Sequence, residues 1–188
     1  MKFGMRFDKV RVFPLILTGI VVLLDQVTKA IVYKNYPIPE GVRSVFITDV
    51  FNNDFLQIIH VRNKAIAFSL GDKVVGTPLA PVLFIALPLA VLAVLVVYYF
   101  RTDDFTKLQR WATAGILGGG IGNITDRIFH KDGVVDFISV KFYGLFGFER
   151  WPTFNIADSA VVVCCLLLFF SIIFSGRKTA VEVVPPDE

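Results

Sequence analysis

Phe154-Asn155-Ile156-Ala157-Asp158 heads an apolar run that continues from Ser159 to Phe174 without a charge. That length suits a helix crossing a bilayer. A carboxylate at its mouth is expensive in hydrocarbon, and an ionisable residue in such a place is a functional hypothesis by default. Asp158 is therefore the residue to explain.

The rest of the chain supports a membrane setting. Of 188 residues 55% are hydrophobic and 19 are Phe, more apolar surface than a soluble domain of this size carries. Four runs are long enough to span: residues 12–33, 78–100, 110–128 and 154–175. Leu79 to Phe100 holds no charge at all. The third run is glycine-rich at Gly115, Gly118, Gly119, Gly120 and Gly122, a spacing that lets helices approach closely in lipid, so it reads as a packed inner helix. The expectation is one membrane domain over 1–188, all-α, with four transmembrane helices. Outer segments 34–77 and 129–153 would build a small β-sheet and loop subdomain, and 176–188 would be a disordered cytoplasmic tail.

Basic residues orient the bundle. Lys2, Arg6, Lys9 and Arg11 precede the first run, Arg101, Lys107 and Arg110 crowd the short second connection, and Arg177 and Lys178 follow the fourth. With an even number of spans these segments share one side, the cytoplasmic one, which puts both termini inside. A cleaved signal peptide is the alternative for the first run, but no small-x-small cleavage site follows it. In the outer segment, Ser44 to Phe51 and Asp54 to Arg62 are two β-like runs around Asn52-Asn53. Too small for its own core, such a sheet leans on the helices or the lipid.

The awkward polar residues fall at one depth. A rise of 1.5 Å per residue brings Asp25 roughly 20 Å across from Val12, with Lys29 nearer the outer face, and Asn123 and Asp126-Arg127 roughly 18 to 24 Å from Trp111. The fourth run returns from outside, so Asn155 and Asp158 lie in its first turns, and the outer segment supplies Asp136. Spacing of three or four puts Asn155 with Asp158, Asn123 with Asp126 and Arg127, and Asp25 with Lys29 on shared faces. Each has a plain reading: Asp25 with Lys29 as a structural ion pair, Asp126 with Arg127 as either a neutralised pair or a substrate contact, Asn123 and Asn155 as interhelical hydrogen-bond glue.

Some chemistries drop out. Cys164 and Cys165 are adjacent and form no disulfide framework, and His60 and His130 stand apart with no companion ligands, so no metal and no cofactor is expected. No Gly-x-Ser-x-Gly, HExxH or phosphate loop occurs, and no basic-aromatic array suggests nucleic acid. What remains is carboxyl groups with carboxamides around them. Two carboxyl groups held close share a proton and can activate water against an amide bond.

The set Asp25-Gln26-Val27-Thr28-Lys29, Arg62-Asn63-Lys64-Ala65-Ile66-Ala67-Phe68, Gly122-Asn123-Ile124-Thr125-Asp126-Arg127, Val135-Asp136-Phe137 and Phe154-Asn155-Ile156-Ala157-Asp158 resembles bacterial lipoprotein signal peptidase, signal peptidase II, over roughly residues 12 to 175. The resemblance implies an inner-membrane aspartic endopeptidase that removes the signal peptide from a prolipoprotein just before its diacylglyceryl-modified Cys. It implies Asp136 and Asp158 as the catalytic pair, substrate-binding Asn63, Asn123, Arg127 and Asn155, and supporting Asp25, Lys29 and Asp126. Partners would be the prolipoprotein and membrane lipids, with the enzyme a monomer. One departure stands out: the family's loop commonly carries Gly where this chain has Ala65, which implies either an ordinary backbone angle there or a slightly narrower groove, with the reaction unchanged. Phe142, Tyr143, Phe146, Phe148 and Trp151 would make an interfacial aromatic shelf and a lid. Two other classes compete. A small proton-coupled transporter would carry its acids near the midplane with inverted repeats. A non-enzymatic assembly or lipid-binding protein would use the glycine-rich helix as an oligomer contact.

Overall fold

A computed structural model of the chain describes residues 5–64, 74–130 and 132–181. In chain order these form α1 (Lys9–Val12), α2 (Leu15–Asn35), β1 (Ser44–Asp49), β2 (Leu56–Asn63), α3 (Leu87–Arg101), α4 (Lys107–Phe129), β3 (Val134–Val140) and α5 (Ile156–Val181). A π-helical turn, Val82–Ala86, leads into α3. The first apolar run is broken at Pro14, where the ring cannot donate a backbone N–H, so a short α1 precedes the long α2. At the other end the helix does not stop near residue 175 but continues to Val181, which shortens the expected tail. Ala65 and the rest of its loop, residues 65–73, lie outside the described residues.

Among the described residues three helical segments, Lys9–Asn35, Val82–Arg101 and Ile156–Phe174, are long and apolar enough to cross a membrane. α4 is of a different kind. Its N-terminus closes with a capping box, in which Thr106 Oγ1 accepts from the Gln109 N–H at 3.2 Å and Gln109 Oε1 accepts from the Thr106 N–H at 2.9 Å. Beyond the cap it is buried along most of its length, Thr113 and Ala114 without any exposed surface. It packs most extensively against α5 and then α2.

Glycine permits that packing. A Cβ at Gly119 would run into the Ala157 carbonyl and sit 2.6 Å from Val161 Cγ2; one at Gly118 would meet Val21 Cβ at 2.8 Å; one at Gly122 would meet Asp25 Oδ2 at 2.6 Å. One face of α4 is therefore shaped for α5 and another for α2, as small residues are used in lipid. Thr18 Oγ1 adds a hydrogen bond to the Ala114 carbonyl at 2.7 Å across the second contact.

The sheet has three antiparallel strands in the order β1-β2-β3, so the two expected runs gain a third strand that was read from sequence only as an outer segment. Ser44 pairs with Val61 and Asp49 with Gln57; Leu56 pairs with Val140 and Asn63 with Val134. Val135 and Phe137 pack with Val32 at the end of α2, which seats the sheet on the bundle. His60, fully buried, lies with Nδ1 2.6 Å from the Tyr36 carbonyl and makes a second tie to the same helix end. The far edge of β3 is covered by Phe154, whose N–H donates to Ile138 O at 3.0 Å. The strand thereby meets the entry to α5.

Gly119→Val should drive α4 from α5 and destabilise the chain by about 1–3 kcal/mol, read as a lowered unfolding midpoint in detergent. Gly19→Val, where an added Cβ meets nothing within 4 Å, should leave the midpoint unchanged.

Candidate active site

Asp158 is the third residue of α5, and its main chain and side chain both serve the start of that helix. Asn155 Oδ1 accepts from the Asp158 N–H at 2.9 Å while Asp158 Oδ2 accepts from the Asn155 N–H at 3.1 Å, a reciprocal cap. The other carboxylate oxygen, Oδ1, accepts from Asn123 Nδ2 on α4 at 2.7 Å. An acid in this place is thus bonded to a backbone N–H, a carboxamide and the positive end of a helix.

Asp136 reaches the same place from β3. Its Oδ1 accepts from Asn155 Nδ2 at 2.7 Å and its Oδ2 from Asn63 Nδ2, at the end of β2, at 2.9 Å. Asn155 Nδ2 is also 3.1 Å from Asn123 Oδ1 and 3.4 Å from the Val135 carbonyl. One fully buried carboxamide therefore connects the strand carrying Asp136 to the helix carrying Asp158. Burial pushes the Asp136 pKa up, and the Asp158 charge pushes it further; the hydrogen bonds from Asn63 and Asn155 and the Lys29 charge oppose this, leaving it at about 7.

Behind Asn123 lies a group of buried charges. Lys29 Nζ is 2.8 Å from Asp25 Oδ2 and 3.3 Å from Asp126 Oδ2, and it donates to Asn123 Oδ1 at 2.9 Å. Asp25 and Lys29 are paired as their spacing predicts, with Asp126 joining them from α4. Gln26 was passed over in the sequence as a spacer, yet its Nε2 donates to Asp126 Oδ1 at 3.0 Å and to the Gly122 carbonyl at 3.1 Å. Its position beside Asp25 was the available signal. Asp126 and Arg127 turn to different sides: Asp126 faces α2, while Arg127 borders the cavity that Asp136 and Asp158 also line.

That cavity, of about 730 Å³, has Asn63, Asn123, Arg127, Asp136 and Asp158 at one end and Val140, Phe142, Trp151, Phe154, Val161 and Val162 along its walls. A wider cleft of about 1340 Å³ lies against Tyr33, Glu40, Arg43, Arg62 and Asp132. Asn63, Asp136, Pro152 and Thr153 border both. Asp136 thus stands where the apolar-walled cavity meets the wider cleft, while Asp158 lines the first of them alone. Of the expected aromatic shelf, Phe142 and Trp151 sit with ring centroids 4.8 Å apart on the cavity wall, whereas Tyr143 and Phe146 are exposed.

The site and fold describe a membrane-embedded chain that holds two carboxyl groups on separate elements at one end of its helices, bridged by carboxamides. The family model for signal peptidase (SPase) II matches residues 17–174. A lipoprotein signal peptidase of Treponema pallidum (strain Nichols) is 47% identical over 169 residues, covering 89% of this chain and 87% of that one. Those of Treponema denticola and Borrelia hermsii are 42% and 40% identical over 88% and 93% of this chain. A bacterial membrane enzyme solved by the in meso method at 2.3 Å resolution shares the fold with a TM-score of 0.70, 24% identity and 94% of each chain covered. The chain belongs to the signal peptidase II family, and the transporter reading finds no support among these relatives.

Asp25→Ala should strip Lys29 of its nearest carboxylate and leave the Ala157 N–H, which donates to Asp25 Oδ1 at 2.9 Å, without its acceptor. Breaking a buried pair from one side costs about 3–5 kcal/mol. Unfolding in detergent should show that loss, and Asp25→Asn, which keeps an acceptor oxygen, should recover part of it.

Proposed function

We propose that Asp136 and Asp158 are the catalytic pair with which this signal peptidase II removes the signal peptide of a prolipoprotein, cutting just before the diacylglyceryl-modified Cys. The observation that carries the reading is the bridging of the two carboxyl groups by Asn155 and Asn123 at the head of one cavity. One of the pair, ionised, takes a proton from a water whose oxygen attacks the scissile carbonyl carbon. The other, protonated, gives its proton to the carbonyl oxygen as the tetrahedral intermediate forms. Collapse breaks the C–N bond: the first aspartate passes the proton it took from water to the departing Cys nitrogen, and the second recovers its own from a hydroxyl of the intermediate. The signal peptide leaves with a new carboxyl group that then ionises. A single shared proton suits the division of labour, because two close carboxyl groups do not both ionise.

Asn63 and Arg127 border the chamber beside the acids and are placed to hold the substrate backbone. Asn123 and Asn155 act on the carboxyl groups themselves. Asp25, Lys29 and Asp126 support them from behind. The apolar walls of the chamber suit a lipid-modified residue, and the polar cleft suits the chain that follows it.

In the membrane, α4 is read as a fourth span, sheltered from lipid by α2, α3 and α5, which gives four transmembrane helices in one domain. Arg6, Lys9, Arg11, Arg101, Lys107 and Arg110 gather at the end opposite the sheet and support a cytoplasmic placement of both termini. The sheet and the carboxyl pair then lie at the periplasmic face of the inner membrane, where a lipid-anchored peptide can keep its acyl chains in the outer leaflet. The aromatic segment from Phe142 to Trp151 would close over it.

Asp136→Asn and Asp158→Asn should each abolish cleavage of a diacylglyceryl lipopeptide in micelles while the proteins keep the wild-type unfolding midpoint. Robust turnover by either variant sinks the pair. The raised pKa of Asp136 carries a sign: its proton stays on below about 7 and leaves above it. kcat/KM should therefore fall as pH rises through about 7, and a rate still climbing well above that value would contradict the shared proton.

A further inference from the structure

The buried charges behind Asn123 are arranged with a symmetry that their own stability does not require. Lys29 Nζ bonds two carboxylates, and each of these also accepts one backbone N–H from a different element: Asp25 Oδ1 from Ala157 at 2.9 Å, Asp126 Oδ2 from Val135 at 3.1 Å. Ala157 immediately precedes Asp158, and Val135 immediately precedes Asp136. Both connections are fully buried: Asp25, Asp126, Ala157 and Val135 have no exposed surface, and Lys29 is 2% exposed. A third donation, from Lys29 to Asn123 Oδ1 at 2.9 Å, joins that of Asn155 Nδ2 at 3.1 Å in holding the Asn123 carboxamide so that its Nδ2 meets Asp158 Oδ1 at 2.7 Å. An ammonium with three donors and no acceptor can impose that orientation; a hydroxyl or an amide in its place could satisfy either face.

We infer that Lys29 is the positioning residue of the carboxyl pair: its single ammonium sets, through Asp25, Asp126 and Asn123, the spacing of the two backbones that carry Asp158 and Asp136 and the orientation of the amide between them. The inference rests on the catalytic reading of the pair. Lys29 touches neither substrate nor water in this account. It acts through others: the start of α5 registers against Asp25 of its own helix α2, β3 registers against Asp126 of α4, and the Lys29 ammonium joins those two carboxylates. Its charge has a second effect, since it opposes the burial that raises the pKa of Asp136. A displacement of about 1 Å between reacting groups is worth roughly 10²-fold in rate, so a positioning residue of this kind shows in kcat before it shows in binding.

Three variants test it in the full chain with a diacylglyceryl lipopeptide, each checked for its unfolding midpoint. Lys29→Arg keeps the charge and should retain at least about a tenth of the wild-type kcat with the alkaline limb of the pH profile unmoved. Lys29→Gln keeps polar atoms but not the charge; kcat should fall about 10²-fold, KM should stay within about threefold, and the alkaline limb should move to higher pH. The combination Asp25→Asn, Lys29→Met, Asp126→Asn removes all three charges together, which avoids an uncompensated buried charge. It should fold yet keep the kcat defect. Wild-type kcat in the folded triple variant, or equal kcat in Lys29→Arg and Lys29→Gln, overturns the inference and leaves Lys29 as a structural ion pair only. Failure of both uncharged variants to fold overturns it too, since the cluster would then be a requirement of folding. Asp136→Asn assayed alongside separates the two levels: its turnover would sink the catalytic reading itself, whereas wild-type kcat in the triple variant sinks only the role given to Lys29.

Discussion

A charge taken out of water must find its counter-charge inside the protein, and at the end of this bundle that carries the sheet that requirement organises everything else. Lys29 cannot be satisfied by its own helix alone; it draws Asp126 and Asn123 from α4 to join Asp25 on α2. The two carboxylates it holds have oxygens left over, and these are taken by the N–H groups of Val135 and Ala157. The burial cost of one ion cluster is thus offset by hydrogen bonds that fasten the strand to α4 and the start of α5 to α2. Acid groups that would be a liability in lipid become the fixed points of a site.

Such an arrangement needs helices that come close, and glycine supplies the closeness. Where Gly122 stands, a methyl group would meet the Asp25 carboxylate at 2.6 Å and Ala157 Cβ at 3.2 Å, so the same residue admits both neighbours of α4. Backbone approach and charge pairing are therefore one feature seen from two directions. The sheet contributes a different property. A strand outside the helices presents Asp136, and that residue borders both the apolar-walled cavity and the wider cleft.

Much of this was legible in the sequence, for physical reasons that can be named. Asp158 and Asn155 stand out because carboxylates and amides are rare in an apolar run, and Asp25 with Lys29 because a spacing of four is a contact on a helix. The inner position of α4 followed from its glycines. β3 was not legible: Val134 to Val140 is interrupted by Asp136 and Ser139, and its strand character depends on pairing with β2 rather than on its own alternation. Asp126 and Arg127 could not be told apart by spacing from Asn123, although successive residues on a helix point about 100° apart and so face different partners. Gln26 was missed because its contact crosses from one helix to another, and its place beside Asp25 was the one local sign of it. The break at Pro14 was in plain sight and was read through because the apolar pattern continues on both sides.

In the proposed reaction Asp136 and Asp158 direct a water, and do not themselves attack, at the bond before the lipidated Cys. A single turnover in H₂¹⁸O, with enzyme in excess over a diacylglyceryl lipopeptide, tests it most directly. The account predicts one ¹⁸O in the new C-terminal carboxylate of the released signal peptide and none in either aspartate. An unlabelled peptide carboxylate, with the label found on Asp136 or Asp158, would contradict it, because the oxygen would then have come from an aspartate through a covalent intermediate.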